Sequence, residues 1–575
     1  MLQNINQFVP QKNPHRPYKQ TQKRPTTKTT IFSFTFVMVS FSLNLFTVPT
    51  AAQTSQDLEL QVGIIQRFGE KPNEKLTIKA PAGDRLSLRF NSTSGEIQTI
   101  ETTSVKLETL PQTLPTPALD EKLILGSYRS FESAENTASE WKAKGIEVEI
   151  SQPKRWQVWA KRDVYSTPLL RRMLLETLQA KGNTTAYLDS KIVQQIPVLS
   201  AVVGKQRYNL GSTEISAGTG IIEVIQGEEK PNSNKEKPKG IIYGGSLRLQ
   251  PNAYATYTLV NLVSLETYLR GVVPHEIGGE APYASIEAQA ILARTYALRN
   301  LRRFAVDNYQ LCANTHCQVY KGLTDTWPEA DRAIAATTGK VLTYDQELVD
   351  ALYYSTSGGV TASFNDIWKG PGRAYLQPVI DSVLNIWDLK NQSLSSEANF
   401  RKFISLKKGF NENEEDQELF RWREESSLEN LNKDFKEYLQ EKQNSLVNFQ
   451  TILNMQVIER SSSGRALKML VQTNAGPIEI EKDEIMKAFY APWSTLFYVE
   501  PVYKEDKKTL KGFAFIGGGF GHGVGMSQTG SYKLAQQGWS SEQILSFYYP
   551  GAQLQLLSDA LTFWREPADK PNTKN

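Results

Sequence analysis

The stretch Ser264–Arg303, which reads SLETYLRGVVPHEIGGEAPYASIEAQAILARTYALRNLRR, centres on one glutamate, Glu276. Apolar residues ahead of it recur at positions i, i+3, i+4 and i+7, a spacing that predicts an amphipathic helix ended by Pro274. Pro282 suits the first turn of a second helix, because a proline there removes no helical hydrogen bond. That helix carries a narrow, alanine-rich stripe: Ile286, Ala290, Ala293, Ala297 and Leu301. We therefore expect Glu276 to lie in a short turn between two buried helices.

Glu276 is also a candidate catalytic residue. Its neighbours in the sequence are apolar: Val272, Val273, Pro274 and Ile277. An apolar environment disfavours the charged carboxylate and so raises its pKa towards the working pH, as a general acid requires. Two structural roles stay open, since Glu276 could instead cap the helix that begins near Pro282 or pair with Arg270 or Arg294.

A glycine-rich segment near the end of the chain, Gly517–Gln528, reads GGGFGHGVGMSQ. It is not a phosphate-binding loop, because no Lys-Ser or Lys-Thr pair follows the glycines. So much glycine lets the backbone approach a ligand closely or bend around one side chain. That side chain is His522, with Ser527 and Gln528 as hydrogen-bonding neighbours, although His522 could equally be a structural histidine.

A third segment, Tyr353–Gly359, reads YYSTSGG and follows the strand-like run Leu348–Leu352. Ser355 is not predicted to be a nucleophile, because the sequence has no Gly-x-Ser-x-Gly elbow around it and no recognisable catalytic triad.

Together with Cys312–Gly322 (CANTHCQVYKG), these three segments closely resemble the SpoIID/LytB domain family. The resemblance rests on four motifs in family order and covers roughly the C-terminal 60% of the chain. Members of this family act on bacterial peptidoglycan. The resemblance therefore implies that glycan strands of peptidoglycan are the ligand.

The resemblance also implies roles for individual residues. Glu276 occupies the position of the family's catalytic acid/base, and the loop Gly517–Gln528 would line a glycan groove opposite it. The residues expected to contact the sugar are Tyr354, Ser355, Ser357, His522, Ser527 and Gln528.

The implied reaction is lytic transglycosylation between N-acetylmuramic acid and N-acetylglucosamine. Ordinary glycosidases use two carboxylates. A lytic transglycosylase can use one, because the sugar's own 6-hydroxyl attacks and closes a 1,6-anhydro ring. We accordingly expect Glu280 to lie on a loop surface and Glu287 to face solvent. The competing function is non-enzymatic, since the LytB branch of the family is regarded as stimulating cell-wall amidases.

The only two cysteines, Cys312 and Cys317, lie on either side of His316. Two thiolates and an imidazole could supply three zinc ligands, and some members of the family bind zinc near this place. A fourth ligand is not visible in the sequence. In an oxidising, exported compartment the two cysteines could instead form a disulfide, which we favour.

Residues 119–198 read as two β-α-β halves. Ser130 suits a helix N-cap before Phe131–Lys144, Gly145 suits its end, and Pro168–Lys181 is a second helix stopped by Gly182. The stretch LGSYRSFESAENTASEWKAKGIEVEI resembles the SPOR domain, a small module that binds peptidoglycan glycan strands. A purely structural α+β module is the alternative.

The N-terminus has the pattern of an export signal. Residues 1–30 are polar and basic, Ile31–Phe46 is apolar, and small residues follow at Thr47–Ala52. The apolar run is shorter than a spanning helix needs and is interrupted by polar residues. We expect residues 1–52 to be a cleaved signal, with a retained anchor as the alternative, and the mature protein to act in the periplasm or cell envelope.

The whole chain is a 575-residue multidomain α+β protein with a formal net charge of +4. This near balance of charge argues against nucleic-acid binding. We expect a strand-rich segment and linker at 53–118, with Pro111–Pro117 as the linker, then the SPOR-like module at 119–198. The SpoIID/LytB domain would span 199–555, with a charged surface subdomain at about 390–444 and a tail at 556–575. No cofactor other than the possible zinc is expected.

Overall fold

The computed structural model describes residues 58–91, 95–227, 239–412 and 417–565. The predicted signal peptide, residues 1–52, lies outside the described residues. Within the described ranges, no helix is both long and apolar enough to cross a lipid bilayer. All of these residues belong to one unit, Ser55–Asn575, which is a mixed α+β arrangement of several sheets with separate hydrophobic cores, as predicted.

The first part of the described chain is almost entirely strand. Its elements are β1 (Glu59–Phe68), β2 (Lys75–Lys79), β3 (Leu86–Asn91), β4 (Ile97–Thr102) and β5 (Ser104–Tyr128). In β3, Leu86, Leu88 and Phe90 are buried and the residues between them are more exposed. This follows from the alternation of side chains between the two faces of a strand.

The predicted β-α-β halves are confirmed. The elements after β5 are α1 (Phe131–Ala143), β6 (Val148–Ser151), β7 (Trp156–Ala160), α2 (Pro168–Ala180) and β8 (Tyr187–Val203). The antiparallel strand order is β8-β5-β7-β6, so the module is a split β-α-β fold. Glycan binding by this module stays a prediction.

The predicted linker at Pro111–Pro117 is wrong. These residues lie within the 25-residue strand β5, and Leu110–Thr113 pair antiparallel with Gln195–Val198 of β8. The register shifts between Thr113 and Ala118, which accommodates two prolines that cannot donate to the ladder. The strand-rich segment and the module are thus joined by continuous paired strands.

The next strands complete two large sheets. They are β9 (Gln206–Asn209), β10 (Thr213–Ala217), β11 (Ile221–Gln226), β12 (Ile241–Gly244), β13 (Ser246–Pro251), β14 (Tyr257–Ser264) and β15 (Leu311–Cys312). One sheet has the order β15-β1-β14-β13-β10-β3-β4, and the other runs β12-β11-β2-β5-β7-β6 with β8 and β9 beside β5. The strand β14 leads directly into the helices that carry Glu276.

Three helices follow: α3 (Leu265–Arg270), α4 (Val273–Ile277) and α5 (Tyr283–Arg299). The prediction of a narrow buried stripe on α5 underestimates how much of the helix is buried, because nearly every residue from Ser285 to Arg299 is buried. Two of them are arginines, and each is buried with acidic partners. Arg294 pairs with Glu266 at 2.7 Å, and Arg299 pairs with Glu347 and Asp350. A polar face can be buried in this way only because its charges are paired.

The elements after α5 bring the second predicted segment to the site. They are α6 (Pro328–Ala336), β16 (Lys340–Tyr344), β17 (Glu347–Leu348), β18 (Tyr353–Tyr354) and α7 (Phe364–Ile367). The short strand β18 is the start of the YYSTSGG segment.

The charged region is not the surface subdomain that its composition predicted. Its elements, and those that follow, are α8 (Glu397–Ser405), α9 (Gln417–Phe420), β19 (Trp422–Ser427), α10 (Leu428–Glu441), β20 (Ile452–Arg460), β21 (Ala466–Thr473), β22 (Gly476–Glu481), α11 (Ile485–Ala488), β23 (Phe497–Tyr503) and β24 (Leu510–Gly517). Trp422 and Phe435 are buried in a hydrophobic core that α10 shares with strands of two three-stranded sheets. On the outer side of α10, Glu429 and Lys433 are exposed and Glu437 is half-buried.

The chain then returns to the site through β25 (Met526–Ser527), α12 (Gln528–Gln536), α13 (Ser541–Tyr548) and β26 (Gln553–Leu556). The strand β25 pairs in parallel with β18, with Tyr353 opposite Met526 and Tyr354 opposite Ser527. The first residues of the predicted tail also pack on the fold, since Leu561 is buried.

Candidate functional site

Glu276 lies in the short helix α4, not in a turn between helices. Gly271, not Pro274, ends α3, and Pro274 falls in the first turn of α4, where its missing N–H costs no hydrogen bond. The Glu276 N–H donates to the carbonyl oxygen of Val272 at 3.0 Å. Gly278, with φ of 80°, then ends α4 in a conformation that favours glycine.

The carboxyl of Glu276 is held by two hydrogen-bond donors. Its Oε1 accepts from the backbone N–H of Val319 at 2.6 Å, and the Tyr353 hydroxyl also hydrogen-bonds the carboxyl. Burial disfavours the charged form and raises the pKa of Glu276 to about 7, although both hydrogen bonds act to lower it. The residue as a whole is half-buried, so the carboxyl is partly desolvated beside an open surface.

The structure contradicts both structural alternatives for Glu276, which were pairing with an arginine and capping of α5. Arg270 pairs with Asp331 at 2.8 Å, and Arg294 pairs with Glu266. The N-cap of α5 is Pro282, with no side-chain capping hydrogen bond. Glu280 is exposed, as predicted, whereas Glu287 is half-buried.

Tyr353 is oriented by a chain of hydrogen bonds. The buried Gln318 donates its Nε2–H to the Tyr353 hydroxyl oxygen at 3.0 Å, and the Gln318 Oε1 accepts from the Tyr268 hydroxyl at 3.1 Å. Because the Tyr353 oxygen accepts from Gln318, its single proton is free to point at Glu276. Sequence reasoning missed Tyr353, Gln318 and Val319, although all three lie within the quoted motifs.

His522 is neutral and holds the glycine-rich loop together. Its Nδ1 accepts from the Val524 N–H at 3.0 Å, and the ring also hydrogen-bonds the backbone of Tyr353. The ring packs against Tyr354 and Trp368, with centroid distances of 5.3 and 5.2 Å. Burial lowers the pKa of His522 to about 3, so the ring carries no charge at neutral pH.

Gln528 connects the same loop to the helix of Glu276. Its Nε2 donates to the backbone carbonyl oxygen of Glu276 at 2.9 Å and to Oε1 of Gln289 at 3.3 Å. The Tyr532 hydroxyl, one turn further along α12, donates to the carbonyl oxygen of Ile277. These hydrogen bonds tie the end of the glycine-rich loop and α12 to α4, while the placement of the loop along a glycan groove stays a prediction.

Three of the predicted sugar-contacting residues are buried. Ser357 and Ser527 have no exposed surface, and Tyr354 is 5% exposed. The Ser527 hydroxyl caps α12 by accepting from the Gly530 N–H. In this structure these three side chains support the loops, while Ser355, His522 and Gln528 keep some exposed surface.

Two acidic side chains lie beneath the loops. The Ser357 hydroxyl oxygen lies within hydrogen-bonding distance of both, 2.9 Å from Asp381 and 2.5 Å from Glu412. Burial and mutual repulsion raise the pKa of Glu412 to about 8, and burial raises that of Asp381. The buried Arg465 donates to the carbonyl oxygens of Ser357 and Val360. Sequence reasoning missed this cluster, because its members come from widely separated segments.

The predicted disulfide between Cys312 and Cys317 is confirmed, with the two Cα atoms 5.6 Å apart. Because both sulfurs are bonded to each other, the thiolates that a zinc ion would need are absent and the donor set does not fit zinc. His316 packs edge-on against Trp156, and burial lowers its pKa to about 4. In the described ranges no group of three or more His, Cys, Asp or Glu side chains could hold a metal ion.

Comparison with known families and proteins agrees with the motifs. The family model described as Stage II sporulation protein (SpoIID) matches residues 253–344, which include Glu276 and the disulfide. A second model, described as a domain of unknown function (DUF8618), matches residues 362–525.

Several curated proteins are similar to the chain. An uncharacterised protein of Brachyspira hyodysenteriae is 26% identical over 390 residues, which cover 66% of this chain and 89% of that protein. The Amidase enhancer of Bacillus subtilis is 27% identical over 365 residues, which cover 56% of this chain and only 49% of the enhancer. Stage II sporulation protein D of Bacillus amyloliquefaciens is 24% identical over 315 residues, covering 51% of this chain and 75% of that protein.

Proposed function

Because the chain belongs to the SpoIID/LytB family, we propose that it is an exported protein that cleaves peptidoglycan glycan strands as a lytic transglycosylase. Glu276 is the catalytic acid and base in this proposal. One observation carries it: the carboxyl of Glu276 is partly desolvated and has a pKa raised to about 7, at the edge of a site built from two loops.

A pKa near 7 suits both halves of the reaction. At neutral pH a substantial fraction of the carboxyl is protonated and can donate a proton to the glycosidic oxygen as the C1–O bond breaks. The carboxylate left behind then takes the proton from the 6-hydroxyl of the muramic acid. The new C1–O6 bond closes the 1,6-anhydro ring, and Glu276 regains its proton.

The surroundings of Glu276 support a mechanism with one carboxylate. Among the described residues, the hydrogen bonds to its carboxyl come from Val319 and Tyr353, neither of which is acidic. The acidic pair Asp381 and Glu412 is buried beneath the loops, where both side chains hydrogen-bond the Ser357 hydroxyl. Within the described part of the chain, no second acidic side chain hydrogen-bonds Glu276, which fits a one-carboxylate mechanism, whereas a two-carboxylate glycosidase needs a second carboxylate to activate water.

The alternative is that the protein stimulates a cell-wall amidase without cutting glycan. The similarity to the Amidase enhancer of Bacillus subtilis favours it, although that similarity covers about half of the enhancer. In this alternative the same two-loop site holds glycan and does not cleave it. The predicted SPOR-like module at 119–198 would add glycan affinity in either case.

Digestion of purified peptidoglycan, followed by mass spectrometry of the released products, separates the two functions. We expect 1,6-anhydro-muropeptides from the wild-type protein and a loss of about 100-fold or more for Glu276→Gln, since general acid–base groups contribute about 100- to 10,000-fold. The exposed Glu280 supplies the matched control, and Glu280→Gln should release product at the wild-type rate. Absence of anhydro product from the wild type, with undiminished amidase stimulation by Glu276→Gln, would establish the alternative.

A further inference from the structure

One large apolar side chain stands out of the glycine-rich loop. Phe520 is 43% exposed, although Gly517, Gly518 and Gly519 before it are buried. A single exposed ring is ordinary on a protein surface, but burial of this ring against a ligand would be favourable, so its surroundings decide whether it is a candidate contact.

The backbone holds Phe520 in a fixed position. Its N–H donates to the carbonyl oxygen of Thr356 at 2.8 Å, and the Thr356 N–H donates back to the Phe520 carbonyl oxygen at 3.3 Å. On either side, Gly521 donates its N–H to Trp493, and the Trp422 indole donates to Gly519 at 2.8 Å. The ring is therefore exposed although the backbone that carries it is held by hydrogen bonds on both sides.

A second ring supports Phe520. The half-buried Trp493 lies edge-on to it, with a centroid distance of 6.1 Å and an interplanar angle of 90°. Trp493 in turn contacts the buried Trp422, also at 6.1 Å. We call Phe520 and Trp493 the aromatic ledge. Both residues lie within the segment that matches a domain of unknown function.

A short series of contacts links the aromatic ledge to the candidate site. Phe520 is two residues from His522, whose ring hydrogen-bonds the backbone of Tyr353. The hydroxyl of Tyr353 reaches the carboxyl of Glu276. Gln528, at the other end of the same loop, donates to the backbone carbonyl oxygen of Glu276 at 2.9 Å, so the loop that carries Phe520 also reaches the helix of the candidate acid.

We propose that the aromatic ledge is a glycan subsite, on which the apolar face of a β-1,4-linked N-acetylhexosamine ring stacks against Phe520. Ligand sites typically combine such aromatic walls with a few polar groups, here the partly exposed Ser355 and Gln528. Trp493 keeps the Phe520 ring upright, because edge-to-face pairs are a preferred aromatic geometry. This inference rests on the proposed function. In it, the segment 362–525, which contains both rings of the ledge, forms one side of the glycan-binding site.

The test uses the full mature chain carrying Glu276→Gln, so that bound glycan is not cut. Chitotetraose, a soluble β-1,4-linked N-acetylglucosamine oligomer, is the probe. Hydrogen exchange followed by mass spectrometry over Gly517–Gln528 reports binding at this loop alone, independently of the module at 119–198. When Phe520→Ala is added to this variant, about 10-fold more chitotetraose should be needed for the same protection from exchange, which corresponds to about 1.4 kcal/mol of binding free energy. Phe520→Trp, added in its place, should restore the protection.

Tyr503 supplies the matched control. It is 49% exposed and pairs with Leu510, at the end of β24 remote from Gly517, so Tyr503→Ala should bind like the parent. Unchanged protection in Phe520→Ala, or a failure of Phe520→Trp to restore it, overturns the glycan subsite. Loss of amidase stimulation in Phe520→Ala with unchanged chitotetraose protection also overturns it and assigns the ledge to a protein partner. If the wild type releases no anhydro product but Phe520→Ala still loses protection, the proposed reaction fails and the subsite stands.

Discussion

The Nε2 of Gln528 lies 2.9 Å from the backbone carbonyl oxygen of Glu276, although 252 residues separate the two in the sequence. The hydrogen bond joins the end of the glycine-rich loop to the helix that carries the candidate catalytic acid. Since Gln528 also reaches Gln289 on the buried helix α5, the loop is positioned by the most enclosed part of the fold.

The raised pKa of Glu276 predicts that this residue destabilises the folded protein at alkaline pH. Its folded pKa of about 7 lies above the ordinary value of 4.5, so the folded state increasingly loses stability as pH rises from about 4.5 to about 7. Glu276→Gln removes the charge and should raise the free energy of unfolding at pH 8 by on the order of 1–3 kcal/mol. At pH 4 the two proteins should be equally stable.

Urea unfolding at pH 4 and pH 8 measures this difference. Glu280→Gln is the control, because Glu280 is exposed and no gain is expected at either pH. A Glu276→Gln protein that is no more stable than the wild type at pH 8 would mean that the carboxyl is not desolvated.

Tyr353→Phe tests the hydroxyl that points at Glu276. This hydrogen bond lowers the pKa of the carboxyl, so its removal should shift the alkaline limb of the pH–rate profile to higher pH. The rate at neutral pH should fall about 10-fold, because the carboxyl becomes a weaker acid and the carboxylate that forms as the C1–O bond breaks loses the hydrogen bond that stabilises it. A drop in rate with no movement of the profile would assign Tyr353 a purely structural role. Tyr490→Phe, at an exposed tyrosine, should change neither quantity.

The disulfide is expected to stabilise the loop that precedes Val319, whose N–H holds Glu276. The bond closes a short loop, and the entropy that it removes from the unfolded chain corresponds to about 2 kcal/mol of stability. Reduction of the wild type should lower the free energy of unfolding by this amount and slow the release of product. The double variant Cys312→Ala, Cys317→Ala should behave like the reduced protein and be insensitive to reductant.

Two glycines with similar backbone conformations provide a test of loop packing. Gly523 has φ of 82° and Gly538 has φ of 90°, so alanine is strained at both positions. A Cβ at Gly523 would lie 2.5 Å from the buried guanidinium of Arg465, whereas a Cβ at Gly538 meets nothing within 4 Å. Gly523→Ala should therefore cost about 2 kcal/mol more in stability than Gly538→Ala, since overpacking a closed site costs about 1–3 kcal/mol. Chemical denaturation of both variants measures the difference, and equal costs would contradict the packing described here.

Local sequence patterns predicted the secondary structure of the module at 119–198 well. Helix α1 follows its N-cap Ser130, and α2 begins at Pro168, as the caps and breakers indicated. These signals act within one helical turn, so no knowledge of the rest of the chain is needed. The same rules were misleading at Pro111–Pro117, because pairing with the distant strand β8 overrides a composition typical of linkers.

The charged region around α10 shows where composition alone is insufficient. Polar residues dominate its sequence, and Trp422 and Phe435 are isolated among them. Their burial depends on β20–β24, which are contributed by the following 80 residues. A side chain that has no local apolar neighbours can still enter a core when distant strands supply the partners.

The sequence by itself determined that Glu276 is the candidate acid, that its neighbours desolvate it, and that the cysteines are close enough to bond, because these properties depend on residues within a few positions of one another. Only the tertiary structure decided which side chains surround that acid: Tyr353, Val319 and Gln528 approach it, while Tyr354, Ser357 and Ser527 turn inward. The physical reason is that strands β18 and β25 pair across about 170 residues of intervening chain, and their register, not their composition, sets which side chains turn inward.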